Sequence, residues 1–192
     1  MKKLSLICFA ICIVLLLFMV RIAFSETIDV GDLAEEYGTW IGNNYSLMSR
    51  GNPANATGTI DHIEMYVSSI GSGDKVTVYA LTEVASGEFD SGGSSGEFTV
   101  VVGTNIFNAP GDFVAFAITA GDFIGCYTTC ALKRDTSGGS DVLLDYGQEF
   151  PMDNFTFGST YTEDKLALYG TGTTGEPPPT AKPVQSQILI LE

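Results

Sequence analysis

Apolar and polar residues alternate along the middle of this chain with the two-residue period of a β-strand. The alternation is clearest over residues 62–67 and 76–81, where every second residue is apolar. Such a pattern is typical of strands that bury one face and expose the other. Further apolar runs predict strands at Phe98–Val102, Phe113–Ile118, Phe123–Tyr127, Val142–Leu144, Phe155–Phe157 and Leu166–Tyr169.

Glycine-rich and proline-containing segments separate these runs and predict tight turns. They lie at Gly71–Asp74, Gly92–Gly96, Pro110–Asp112 and Gly138–Ser140. About eight short strands without a convincing helix predict an all-β fold, an antiparallel sandwich of one domain spanning residues 26–172. This turn-and-strand pattern over residues 59–170 resembles the jelly-roll sandwiches of carbohydrate-binding modules and of virus or phage surface proteins.

The ends of the chain carry three further predicted segments. Residues 1–25 have two lysines, an apolar run and small residues before Glu26, which predicts a cleaved signal peptide and a secreted or cell-surface protein. The alternative is an uncleaved anchor, which would be the only contact with a membrane. Residues 173–183 form a Pro-rich linker, and residues 184–192 form an apolar, β-prone tail. The tail predicts either self-assembly by strand exchange or a truncated longer protein.

The charge balance narrows the classes of partner. Removal of residues 1–25 leaves six basic residues against 23 acidic ones, a net charge of −17. A surface of this sign repels nucleic acid and anionic lipid, so neither is an expected partner. Neutral glycans, basic proteins and divalent cations remain possible partners, and the acids also keep an exported protein soluble.

Cysteine and acidic residues give two candidate structural sites. Cys126 and Cys130 are the only cysteines after residue 25, and an even count in an exported domain predicts a disulfide if residues 127–129 form a turn. The acidic residues of one loop are suited to Ca²⁺, with turn capping as the alternative. These candidate metal ligands are Asp135, Asp141 and Asp145.

Two further patterns point to glycans. Aromatic residues in the polar N-terminal region predict either a ligand platform or packing over one end of the fold; they are Tyr37, Trp40 and Tyr45. Three sequons predict glycosylation if the host modifies exported proteins, at Asn44, Asn55 and Asn154.

Catalytic signals are weak. His62 is the only histidine and alternates to the side of Glu64 and Tyr66, which indicates an exposed strand position. No Gly-x-Ser-x-Gly elbow is present. The sequence therefore predicts a non-catalytic module that binds glycan or an extracellular protein. A structural subunit of a surface layer, filament or virion is the alternative, and a glycoside hydrolase is the third possibility.

Overall fold

The computed structural model describes residues 27–71, 73–147 and 150–175. The predicted signal peptide, the apolar tail and all of the linker beyond Gly175 lie outside these residues. Twelve strands and no helix occur in the described part of the chain, which therefore contains no helix that could cross a membrane. The strands are β1 Thr27–Gly31, β2 Thr39–Ile41, β3 Tyr45–Ser49, β4 Gly58–Ser69, β5 Lys75–Ala85, β6 Glu88–Thr99, β7 Gly103–Asn108, β8 Phe116–Ile118, β9 Phe123–Thr128, β10 Ala131–Tyr146, β11 Ser159–Leu166 and β12 Leu168–Thr174.

The strands pair in the order β1-β12-β4-β10-β3-β9-β5-β6. Strands β7 and β8 join the path at β4, and β2 and β11 join it at β10. Every one of these pairings is antiparallel. The predicted all-β, antiparallel fold is confirmed at this level.

Two long strands hold the arrangement together. Along β4, residues 58–65 pair with β12, and residues 58–67 pair on the other side with β8 and then β7. The first residues of β10 pair with the end of β4, whereas residues 142–146 pair with β3. Both strands therefore connect the part of the fold around β12 to the part around β9.

Alternation along the strands produces two apolar clusters. The larger one takes the inward residues of most strands, including Ile63 and Met65 of β4, which are fully buried. The smaller cluster contains side chains that point to the other face of the sheet, such as Tyr79 and Leu81 of β5, and it is covered by the segment 150–157. In this segment Phe150 stacks on Tyr79 with the ring centroids 3.9 Å apart. The sheet around β5 is therefore buried on both faces, which explains the apolar residues at successive positions in residues 78–81.

The structure differs from the prediction of about eight strands. The polar N-terminal region contributes β1, β2 and β3, and two glycine-rich segments predicted as turns lie inside β6 and β10. Both strands contain register shifts, so their glycines accommodate bulges and close approach instead of reversing the chain. A Cβ on Gly139 would lie 2.5 Å from the carbonyl oxygen of Asp164, a contact that only glycine permits.

The predicted disulfide between Cys126 and Cys130 does not form in this structure, where both residues are free, buried thiols. The bond requires residues 127–129 to turn, but β9 stays extended as far as Thr128. An extended backbone separates positions that are four residues apart by about 13 Å, which is too far for a disulfide. The Sγ atom of Cys130 instead lies 2.8 Å from the hydroxyl of Thr128. Burial raises the pKa of both thiols.

Candidate functional site

The outer side of β1, β12, β4 and β7 carries polar and aromatic side chains in register. We call this surface the polar face, and its members are Asp29, Thr171, Tyr169, His62, Glu64, Tyr66, Thr104, Ile106 and Asn108. One row across the strands is Asp29–Thr171–His62–Asn108, and the next is Gly31–Tyr169–Glu64–Ile106. Because the residues between these positions on β4 point into the core, the two rows face away from it.

The first row contains a hydrogen-bonded histidine. Nδ1 of His62 lies 2.8 Å from Oδ1 of Asn108, and Nε2 lies 2.9 Å from Oε1 of Glu64. The backbone N–H of Asn108 donates to the carboxylate of Asp112 at 2.9 Å, which fixes the backbone of this residue. The three side chains therefore form a connected polar cluster at the centre of the face.

Two tyrosines flank this cluster. Tyr169 lies opposite Glu64 in the register, and Tyr66 lies two residues along β4 from it. Both are half-buried, so part of each residue's surface remains accessible to solvent. Burial raises the pKa of both phenols. A nearby carboxylate raises each pKa further: the Asp29 carboxylate acts on Tyr169, and the Glu36 carboxylate acts on Tyr66. Both hydroxyls therefore stay protonated at neutral pH and donate hydrogen bonds to these carboxylates, Tyr169 to Asp29 and Tyr66 to Glu36.

Trp40 points to the same outer side of the fold, next to the polar face. It pairs with Lys133 of β10, and the carbonyl of Lys133 accepts a hydrogen bond from the N–H of Ala167. The carbonyl of Ala167 in turn accepts a hydrogen bond from the N–H of Tyr66. Trp40 is 59% exposed, which is high for a tryptophan.

The three predicted platform aromatics are not brought into one group. Tyr45 packs against the larger core cluster and makes an edge-to-face contact with Tyr146, with ring centroids 5.5 Å apart. The hydroxyl of Tyr37 donates to the carbonyl of Leu33, and burial, with nearby carboxylates, raises its pKa to about 12. Only Trp40 is therefore strongly exposed and available to a ligand.

The three predicted metal ligands are also apart. No group of three acidic, histidine or cysteine side chains in the described residues has the arrangement of a metal site. Asp135 instead accepts hydrogen bonds from the backbone N–H and the hydroxyl of Ser137, which is the capping role proposed as the alternative. Asp145 accepts from the N–H of Gly158, and the carbonyl of Asp141 accepts from the backbone N–H of Arg50. Calcium binding stays a prediction.

The predicted glycan acceptors have different surroundings. The Asn55 side chain joins β1, since its Oδ1 accepts from the N–H of Asp29 and its Nδ2 donates to the carbonyl of Thr27. Asn154 is exposed, and its side-chain amide donates a hydrogen bond to the carboxylate of Asp153. Asn44 lies between β2 and β3, and its backbone has a left-handed conformation with φ of 63°. Asn55 and Asn154 are both exposed, and the Nδ2 group of each already donates one hydrogen bond, so glycosylation stays a prediction at each of these positions.

Sequence reasoning found part of the polar face. It placed His62, Glu64 and Tyr66 on one exposed side of a strand, which the burial pattern of β4 bears out. It missed Asn108 and Tyr169, because their partners on β4 lie more than 40 residues away in sequence. Comparison with known proteins gave no further guidance, since the chain matches no protein-family model, no curated protein and no solved structure.

Proposed function

We propose that this protein is a secreted or surface-displayed, non-catalytic module with a jelly-roll-like sandwich fold, and that its polar face binds a neutral glycan. The observation that carries the proposal is the in-register placement of two half-buried tyrosines beside the Glu64–His62–Asn108 cluster. It joins apolar ring surface to fixed donors and acceptors on a solvent-accessible side of the sheet.

The chemistry of this surface matches that of a sugar ring. A sugar presents hydroxyls that both donate and accept hydrogen bonds, together with apolar C–H surfaces. Carboxylate, amide and imidazole groups supply the complementary donors and acceptors, and tyrosine combines an apolar ring with a polar hydroxyl. Rigid aromatic side chains also lose little conformational entropy on binding, which makes them efficient contact residues.

Charge selects the class of glycan. Carboxylates from three parts of the chain surround the cluster, and they are Asp29, Glu36, Asp61, Glu64 and Asp112. A sulfated or uronic acid glycan would have to approach these groups against their repulsion, whereas a neutral glycan would not. Exposed Trp40 extends the same side of the fold and offers a further ring to a longer chain of sugars.

A glycan array with the chain starting at Glu26 tests the proposal. We expect binding to neutral glycans. Tyr66→Ala and Tyr169→Ala should each raise the dissociation constant about tenfold, which corresponds to a loss of about 1.4 kcal/mol of binding free energy at a central aromatic contact. The matched control is Tyr146→Ala, which removes a tyrosine that is 67% exposed and lies on β10.

Three results would count against the proposal. An array without any binding signal would rule out a glycan as the ligand. If the same face instead captures a protein partner, and Tyr66→Ala loses that capture, the face serves protein recognition. If Tyr146→Ala and Tyr66→Ala weaken glycan binding equally, the binding site does not lie on the polar face. Circular dichroism of each variant shows whether a lost signal reflects binding or folding.

A further inference from the structure

Both ring nitrogens of His62 face oxygen atoms. Nδ1 lies 2.8 Å from the amide oxygen of Asn108, and Nε2 lies 2.9 Å from a carboxylate oxygen of Glu64. A neutral imidazole carries a proton on only one nitrogen, so both contacts are hydrogen bonds only when the ring is protonated. The geometry therefore corresponds to the charged form of this side chain.

The groups around His62 are acidic or neutral. Asp61 and Glu64 come from β4, Asn108 from β7, and Thr171 faces the ring from β12. Beyond this shell lie Asp112, which binds the backbone of Asn108, and Asp29 and Tyr169, which contact each other. Partial burial lowers the pKa of His62, but the hydrogen bonds to Glu64 and Asn108 and the charges of Glu64 and Asp61 together raise it above 6.5.

We propose that the protonation state of His62 sets the orientation of the Asn108 amide and thereby changes which glycans the polar face binds. This inference rests on the proposed function. In the protonated form, the N–H at Nδ1 donates to Oδ1 of Asn108. The amide nitrogen of Asn108, an exposed residue, then points outward with its two donor protons.

Loss of the proton reverses this arrangement. Nε2 keeps its proton, because its hydrogen bond to the Glu64 carboxylate is the stronger, charge-assisted one. Nδ1 then becomes an acceptor and can bind Asn108 only if the amide turns over and donates from Nδ2. The amide oxygen now faces outward, so the face presents an acceptor where it had a donor.

A change from donor to acceptor alters specificity because it leaves a ligand group unpaired. We expect the dissociation constant of a neutral glycan to change about tenfold or more across the transition. Neutral glycans carry no titrating group between about pH 5 and pH 8.5, so the pH dependence comes from the protein. Since the pKa of His62 is raised, the transition should be centred above pH 6.5.

Nuclear magnetic resonance on the unliganded protein tests the amide orientation without any glycan. Above the transition, we expect a scalar coupling across a hydrogen bond from Nδ2 of Asn108 to an unprotonated Nδ1 of His62. Below the transition, the coupling should disappear and both ring nitrogens should carry protons. The Asn154 amide is exposed and serves as the internal control, which should not follow this titration. An Asn108 amide that keeps one orientation throughout overturns the inference.

Binding measured at about pH 5.5 and about pH 8.5 tests the consequence for specificity. The probe is the neutral glycan that gives the strongest array signal with the wild-type chain. Its dissociation constant should change about tenfold with pH, whereas Asn108→Asp, which has no amide, and His62→Gln, which does not titrate, should show less than about a twofold change. A wild-type protein with equal affinity at both pH values overturns the inference but leaves the proposed function intact. Amide reversal without binding of any glycan supports the switch and rejects the proposed function.

Discussion

Asp164 and Arg134 form a buried ion pair whose disruption should lower the stability of the fold strongly. The Asp164 side chain is 4% exposed and the Arg134 side chain 18%, and the guanidinium lies directly against the carboxylate. A bulge in β11 between Tyr161 and Asp164 positions this carboxylate. Asp164→Asn keeps the shape of the side chain but leaves the guanidinium charge without a counter-ion.

Breaking a buried pair in this way costs about 3–5 kcal/mol, because the remaining charge has lost its partner without regaining water. The guanidinium of Arg134 keeps its contact with the Tyr161 ring, whose centroid is 4.0 Å away, so we expect the lower end of this range. For a domain of this size, a loss of about 3 kcal/mol lowers the melting temperature by about 6–12 °C.

Urea unfolding of the chain starting at Glu26 measures the effect. The midpoint should fall while the slope stays constant, since the surface exposed on unfolding is unchanged. The control is Glu97→Gln, because Glu97 forms a 4.0 Å ion pair with Lys75 and both side chains are largely exposed, so its loss should cost less than about 1 kcal/mol. If Asp164→Asn costs no more than Glu97→Gln, the argument from burial is wrong. Replacement of both partners, Arg134→Met with Asp164→Leu, should recover most of the loss.

Three further predictions concern backbone geometry and the thiols. Gly172→Ala should destabilise the fold by more than about 2 kcal/mol, since its Cβ would lie 1.9 Å from a carbonyl oxygen of β4, whereas Gly38→Ala, with no atom within 4 Å, should be nearly neutral in the same thermal scan. Glu163→Gly should stabilise the fold by up to about 1 kcal/mol, because Glu163 has φ of 60°; calorimetry that shows a loss would reject the strain argument. Thiol labelling of the chain starting at Glu26 should find Cys126 and Cys130 unreactive in the native state and both reactive in unreduced denaturant, and a count of zero in denaturant would restore the disulfide.

Local pattern predicted much of what belongs to single strands. The alternation in residues 62–67 correctly separated the buried residues of β4 from the exposed ones, because the two-residue period is a property of any extended backbone. The same reasoning identified the all-β class. It failed at Gly92–Gly96 and Gly138–Ser140, because glycine permits both a turn and a bulge and only the neighbouring strand decides between them.

The sequence by itself determined that His62, Glu64 and Tyr66 share one side of a strand. Only the tertiary structure decided that Tyr169 and Asn108 lie beside them, because the register between strands depends on how the whole core packs. The same dependence separated Tyr45 from Trp40, which lie five residues apart in sequence but on opposite sides of the boundary between core and surface. A local period fixes which way a side chain points, whereas the neighbours that it meets come from distant parts of the chain.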